Sequence, residues 1–89
     1  MRLSDDEVRA GLANLSGWSL EEGRLCKRYA LESFVAALAF VNRVGALAEA
    51  ADHHPDILVQ YRHVTLTLTT HDAGGLTAKD FALAAQIDA

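Results

Sequence analysis

The stretch Val64-Thr65-Leu66-Thr67-Leu68-Thr69-Thr70 decides the fold, because aliphatic and threonine side chains alternate along it through Leu68 and Thr69. Successive side chains of a β-strand point to opposite faces of a sheet, so this period predicts a strand with one apolar and one solvated face. Just before it, residues 57–61 form a second short β-prone run. The apolar face of a sheet built from such strands must be covered by other elements of the chain.

That cover is predicted to come from the apolar stretch Phe34–Ala51, which follows the helix-capping residue Ser33. Its apolar side chains line two adjacent helix faces, so we expect it to pack against the sheet and against a further surface, such as another subunit. Polar and charged residues interrupt the stretch, which favours a buried helix of a soluble protein over a membrane span. Pro55 ends this helix near Asp52.

The rest of the chain supplies two more helices and two more strands. A helix is predicted over Ser4–Leu15, and residues 18–20 and 25–31 form a hairpin around a polar, glycine-containing loop. Thr77 and Asp80 have the spacing of a capping box that opens a final helix. The order α-β-β-α-β-β-α predicts one α+β domain over the 89 residues, a two-layer sandwich with an antiparallel sheet.

Composition excludes several classes of function. The formal charge is −4 and the basic residues are scattered, which disfavours nucleic-acid binding. The acidic start lacks the features of a secretory signal, and the single cysteine, Cys26, cannot form an intramolecular disulfide. We therefore expect a cytoplasmic protein without a membrane segment.

All four histidines fall between positions 53 and 71, and this clustering suggests acid–base chemistry at neutral pH. Any one of them taken alone is better explained as a structural residue. Glu49 precedes His53 by four residues, so it is expected to share a helix face with that imidazole and to orient it if the helix persists through that turn. The alternative is an ordinary exposed helical glutamate. No metal is expected, because adjacent histidines rarely serve one ion and paired cysteines are absent.

The spacing of Glu49-Ala50-Ala51-Asp52-His53-His54-Pro55, Tyr61, His71 and Asp80 resembles the signature of the pterin-4a-carbinolamine dehydratases. The likeness covers the chain from about Trp18 to Asp88. It implies a four-stranded antiparallel sheet covered by helices on one side, assembled as a homodimer or homotetramer. It also implies a hydro-lyase that removes water from a 4a-hydroxytetrahydropterin, giving the quinonoid dihydropterin for tetrahydropterin recycling. Such a reaction needs no cofactor and no metal.

The resemblance also implies roles for single residues. His53 and His71 would be the proton-transfer pair, and His54 would contact the pterin and share the acid–base work. The residues expected to bind substrate or to orient a neighbouring group are Glu49, Pro55, Tyr61, Asp72 and Asp80. Asp72 is included because it follows His71 and could orient that imidazole. A plain turn position remains open for Asp72, a helix cap for Asp80, and a role in folding for Tyr61. Ile57 stands where some members carry tryptophan, so an aromatic wall for the pterin must come from elsewhere or be absent.

Two other functions remain open. Some relatives act as dimerisation cofactors of a transcription factor through an apolar helical surface, and the wide apolar stripe of Phe34–Ala51 fits such a scaffold. A related pterin reaction, for instance in molybdenum-cofactor metabolism, would need the same acid–base residues.

Overall fold

The computed structural model describes residues 1–89, which form three α-helices and a four-stranded sheet. The bounds are Asp5–Ala13 (α1), Ser19–Glu21 (β1), Arg24–Ala30 (β2), Phe34–Ala51 (α2), Asp56–Gln60 (β3), His63–Leu68 (β4) and Ala78–Asp88 (α3). A single turn of 3-10 helix, His71–Ala73, lies between β4 and α3. The predicted α+β class and element order are confirmed.

β4 lies inside the sheet, whose strands follow the order β1-β2-β4-β3 with every neighbouring pair antiparallel. Val64, Leu66 and Leu68 are fully buried in the core, whereas Thr65 and Thr67 are partly exposed on the other face. The alternation along β4 therefore assigns the two faces of the sheet as predicted.

The β1–β2 hairpin is tighter than predicted. Glu21 pairs with Arg24, so both belong to the strands and the loop shrinks to Glu22 and Gly23. Both loop residues have positive φ, 53° and 78°, which is typical of the two-residue turn that matches the twist of a hairpin.

α2 packs against the core along one side, where Ala37, Val44 and Ala48 are buried and Phe40, Val41 and Leu47 are partly buried. The expectation of a buried helix is right for this side only, because a helix lying on one sheet presents a single face to it. Part of the apolar surface at the start of α2 has no cover within one chain, and the apolar side chains left exposed there are Phe34, Val35 and Leu38. By length and composition alone, α2 could also cross a membrane, a test that core helices of soluble proteins pass as well.

The chain turns sharply at the C-terminal end of α2. Asp52 adopts the left-handed conformation (φ 50°, ψ 43°), and its N–H donates to the carbonyl of Glu49. The N–H of His53 reaches back to the carbonyl of Ala48, 3.1 Å away. This pair of bonds is the Schellman arrangement that ends many helices. It sends His53 off the helical path.

α3 begins with the predicted capping box. The Thr77 hydroxyl accepts a backbone N–H of the first turn, and the Asp80 carboxylate accepts the N–H of Thr77. Leu83, Ala84 and Ile87 then bury one side of the helix in the core. Residues of α3 therefore hold fixed positions relative to the sheet.

Asp88, at the C-terminal end of α3, joins this helix to the β1–β2 hairpin by hydrogen bonds. Its carboxylate accepts hydrogen bonds from the indole of Trp18 (2.8 Å), the ammonium of Lys27 (2.9 Å) and the hydroxyl of Tyr29 (2.6 Å). Burial alone would raise the pKa of Asp88, but these donors outweigh it and hold the pKa below its ordinary value of 3.8. Burial, together with this carboxylate, raises the pKa of Tyr29.

Candidate active site

A polar cleft opens where the end of α2 meets the end of β4 and the start of α3. It encloses about 320 Å³ and is lined by residues 52–54 and 69–72 and by Lys79. This volume lies near the lower end of the range for small-molecule pockets, roughly 300 to 1,000 Å³. His53, His54 and His71 thus share one cleft, whereas the fourth histidine, His63, does not line it.

A second cavity of about 300 Å³ lies beside Arg2 and Arg24, at the other side of the Gly74–Gly75 turn. Its lining contains no histidine and no cysteine. The histidine cleft is therefore the better candidate for acid–base chemistry, although it is the more open of the two.

His53 is held by a buried carboxylate. Its Nε2 lies 2.6 Å from Oδ1 of Asp80, and the two side chains are 10% and 0% exposed. Because a carboxylate accepts hydrogen bonds and does not donate them, Nε2 carries the hydrogen. In the neutral ring Nδ1 is then the nitrogen whose lone pair can accept a proton.

The second oxygen of Asp80 joins two further segments. Oδ2 accepts hydrogen bonds from the hydroxyl of Thr70 (2.8 Å) and from the backbone N–H of Thr77 (2.9 Å). The helix-cap interpretation of Asp80 is therefore confirmed, and the same side chain also contacts His53, which the sequence analysis did not predict. Asp80 links the end of α2, the end of β4 and the start of α3.

The predicted pair of Glu49 and His53 does not form. Oε2 of Glu49 lies 2.5 Å from Nε2 of His54 instead. The left-handed residue Asp52 takes His53 off the face it would share with Glu49, and His53 contacts Asp80 of α3. The Glu49 and His54 side chains are 78% and 54% exposed, so solvent weakens their attraction.

His71 and Asp72 form the rim of the cleft on the 3-10 turn, and both are exposed. No hydrogen bond joins Asp72 to His71, so the geometry favours the turn position for Asp72 over the orienting role. Pro55 separates His54 from β3 and does not line the cleft.

Tyr61 lies away from the histidines. It occupies the turn between β3 and β4, with φ 55° and a 71% exposed side chain. The five residues of β3 extend by roughly 3.3 Å each, which carries Tyr61 far from His54.

Ile57 pairs with Leu66 and does not line the cleft, and no hydrophobic side chain does. The cleft residues of this chain therefore form no aromatic wall.

Four cleft residues were missed by the sequence analysis: Asp52, Thr69, Thr70 and Lys79. Thr70 continues the threonine run of β4, so nothing in its context separates it from the solvated threonines before it. Its contact with Asp80 depends on how α3 packs, which no local pattern encodes. A sequence signal could have identified Asp52: it is a residue other than glycine, and it lies between the predicted end of the helix and Pro55.

The fold and the cleft together define a small α+β protein that gathers imidazoles around a polar cavity, one of them oriented by a buried carboxylate. A sequence model of the pterin 4 alpha carbinolamine dehydratase family matches residues 1–89. The chain belongs to the pterin 4 alpha carbinolamine dehydratase family.

Similar proteins come from several bacteria. A protein of Roseiflexus sp. strain RS-1 is 58% identical over 87 residues, covering 98% of this chain and 94% of its own length. One from Picosynechococcus sp. is 49% identical over 87 residues, covering 98% and 95%. Both bear the name "Putative pterin-4-alpha-carbinolamine dehydratase".

Two solved structures share the fold. A transcriptional coactivator/pterin dehydratase from Brucella melitensis superposes with a TM-score of 0.94 at 29% identity, covering 99% of this chain and 96% of the other. A pterin dehydratase-like protein, described as a RuBisCO assembly factor in the alpha-carboxysome, gives a TM-score of 0.65 at 29% identity, with coverages of 80% and 82%.

Proposed function

We propose that this protein dehydrates 4a-hydroxytetrahydropterins to quinonoid dihydropterins, in support of tetrahydropterin recycling in the cytoplasm. The observation that carries the proposal is the contact of His53 with the buried carboxylate of Asp80, inside a cleft that His54 and His71 also line. Family membership supplies the pterin as the substrate class.

The reaction needs two proton transfers. The C4a–O bond breaks with its electron pair leaving on oxygen, and a proton donor converts the departing hydroxyl to water. A base removes the proton of N5, and the electrons of that N–H bond form the C4a=N5 double bond. Atoms and electrons balance without an oxidant.

His53 and His71 are the proposed proton-transfer pair. Imidazole can donate and accept protons at neutral pH, and a positioned acid or base contributes roughly 10²- to 10⁴-fold to a rate. Asp80 acts as a positioning residue that presents His53 in one tautomer. His54, paired with Glu49 at the exposed side of the cleft, is proposed to contact the pterin.

The test follows the dehydration of chemically generated carbinolamine by absorbance. We expect the wild-type protein to exceed the buffer rate, and His53→Ala and His71→Ala each to lose at least about 100-fold in kcat. His63→Ala is the matched control, because His63 does not line the cleft, and it should retain wild-type turnover. A wild-type rate equal to that of buffer would remove the enzymatic proposal.

A protein-binding role is the second proposal, since Phe34, Val35 and Leu38 leave an apolar face of α2 exposed. Structural relatives described as a coactivator and as an assembly factor support it. Self-association into a homodimer or homotetramer would cover the same face. Sedimentation of the wild type and of Val35→Ser tests self-association: a smaller species for the variant supports it, and a monomeric wild type contradicts it.

A further inference from the structure

The cavity beside Arg2 and Arg24 is distinct from the histidine cleft, and the proposed dehydration uses none of its lining residues. It encloses about 300 Å³ between the N-terminal segment, the β1–β2 turn and residues 74–76. The N–H of Leu3 donates to the carbonyl of Leu76 at 2.8 Å, which holds the N-terminal segment against the chain that follows the 3-10 turn. The walls of the cavity are therefore fixed by the fold.

Charged side chains of both signs line this cavity. Two are cations and two are anions: Arg2, Arg24, Asp5 and Glu22. None of them forms an ion pair within the chain, whose ion pairs all involve other residues. Their charges are therefore available to a ligand.

The two arginines are placed at the cavity by the turns that flank it. Arg24 lies opposite Glu21 in the β1–β2 hairpin, a cross-strand position at which opposite charges commonly pair. The Glu21 carboxylate accepts the hydroxyl of Ser19 instead (3.1 Å). Arg2 crosses the other turn closely, because a Cβ atom on Gly75 would come within 2.9 Å of its Cδ. Glycine at position 75 therefore leaves room for the Arg2 side chain at the cavity.

Glu22 occupies a turn position that favours other residues. With φ 53° it precedes Gly23 in the two-residue turn, where Asn, Asp and Gly are the usual residues. Neither the turn geometry nor an ion pair accounts for a glutamate here. The residue does line the cavity, next to Arg24.

Apolar side chains complete the lining. Val8 and Leu76 are only 9% and 4% exposed, and Leu3 and Leu20 lie nearer the surface. An inorganic anion in this cavity would face two carboxylates, and a polyamine would face two guanidinium groups. A hydrocarbon would displace water from charged groups without replacing its hydrogen bonds. The lining therefore fits a ligand that carries both charges and an apolar part.

We propose that this cavity binds a free α-amino acid with an apolar side chain. Guanidinium groups bind a carboxylate through paired hydrogen bonds, so Arg2 and Arg24 would take the α-carboxylate. Asp5 and Glu22 would accept hydrogen bonds from the α-ammonium group. The apolar side chain would lie on the buried part of the lining. A small-molecule site commonly combines apolar walls with a few charged groups in this way.

The experiment follows ¹H–¹⁵N chemical shifts of the full chain during titration with L-leucine at neutral pH. The amides of Gly23 and Gly75 report on the cavity, and Gly45 of α2 is the remote reference. We expect a Kd below about 1 mM for leucine. Three analogues each lack one feature: leucinamide the carboxylate, N-acetyl-leucine the ammonium group and glycine the apolar side chain. Each should bind at least about tenfold more weakly.

Two variants connect the charges of the ligand to those of the cavity. Arg24→Gln should lose about tenfold in affinity for leucine and change little for leucinamide, which has no carboxylate to bind. Glu22→Gln should lose as much for leucine and change little for N-acetyl-leucine. Arg28→Gln is the matched control, because Arg28 lies on the same strand as Arg24 and does not line the cavity. All three side chains are exposed, so the variants should fold.

A wild type that leucine does not titrate, or shifts confined to residues outside the cavity, would overturn the inference. Equal affinities for leucine and N-acetyl-leucine, or equal behaviour of Arg24→Gln and Arg28→Gln, would also overturn it. No histidine lines the cavity, so the inference is independent of the proposed dehydration. A protein without turnover in the carbinolamine assay that binds leucine as described contradicts the proposed dehydration alone.

Discussion

Oδ1 of Asp80 lies 2.6 Å from Nε2 of His53, so a residue of the first turn of α3 fixes an imidazole just beyond the end of α2. The other oxygen of the same carboxylate accepts the hydroxyl of Thr70, the residue before His71. One buried group therefore positions both chain segments that carry the proposed proton-transfer histidines.

The first prediction concerns the tautomer of His53. Because the Asp80 carboxylate accepts the hydrogen on Nε2, neutral His53 should be the Nε2–H tautomer. A two-bond ¹H–¹⁵N correlation spectrum distinguishes the two ring nitrogens, and His63 serves as a reference outside the network. Observation of the Nδ1–H tautomer for His53 would contradict the hydrogen-bond assignment.

The second prediction compares two carboxylates that each contact a histidine. Asp80→Asn should lower the free energy of unfolding by about 2 kcal/mol, because a buried amide N–H₂ cannot accept hydrogen bonds that the carboxylate accepted. Glu49→Gln should lower it by less than about 0.5 kcal/mol, because its pair with His54 is exposed. Urea unfolding measures both. Equal losses would mean that burial does not distinguish the two pairs.

The third prediction concerns Thr70, whose hydroxyl contacts both Asp80 and Thr77. Thr70→Val should destabilise the fold by about 1 to 2 kcal/mol and reduce turnover, since Asp80 loses a donor next to the His71 segment. Thr65→Val is the control on the solvated face of β4, and it should leave turnover unchanged. The idea fails if both valine variants behave alike.

The fourth prediction concerns stability in acid. The folded-state pKa of Asp88 is lowered, so its contribution is present above the ordinary carboxyl value of 3.8 and is lost as the pH falls through the folded-state pKa. Melting temperatures between about pH 5 and pH 2 should therefore fall less steeply for Asp88→Asn than for the wild type. Parallel curves would show that Asp88 does not contribute to the acid dependence.

Local sequence patterns predicted the fold well, because strand alternation and helix capping depend on interactions between residues that are close in the sequence. The alternation along β4 identified the buried residues Val64, Leu66 and Leu68, and the spacing of Thr77 and Asp80 identified the start of α3. Each of these signals depends on residues a few positions apart. Element order and face assignment follow from them.

The partners of the histidines were harder to predict, because they depend on helix ends and on packing between distant segments. Four-residue spacing would pair Glu49 with His53 only if α2 continued, and Asp52 ends it. Asp80 reaches His53 across 27 residues of sequence through the packing of α3. Tyr61 is the opposite case. It belongs to the signature that predicted the site residues, but within a single chain it does not lie at the cleft.

The most direct test of the account is a kinetic cycle of Asp80→Asn and His53→Ala in the carbinolamine assay. Asp80 is proposed to act through His53, so we expect Asp80→Asn to lower kcat in the wild-type background and to add no further loss once His53 is alanine. A wild-type protein no faster than buffer, or losses that multiply in the double variant, would contradict the account.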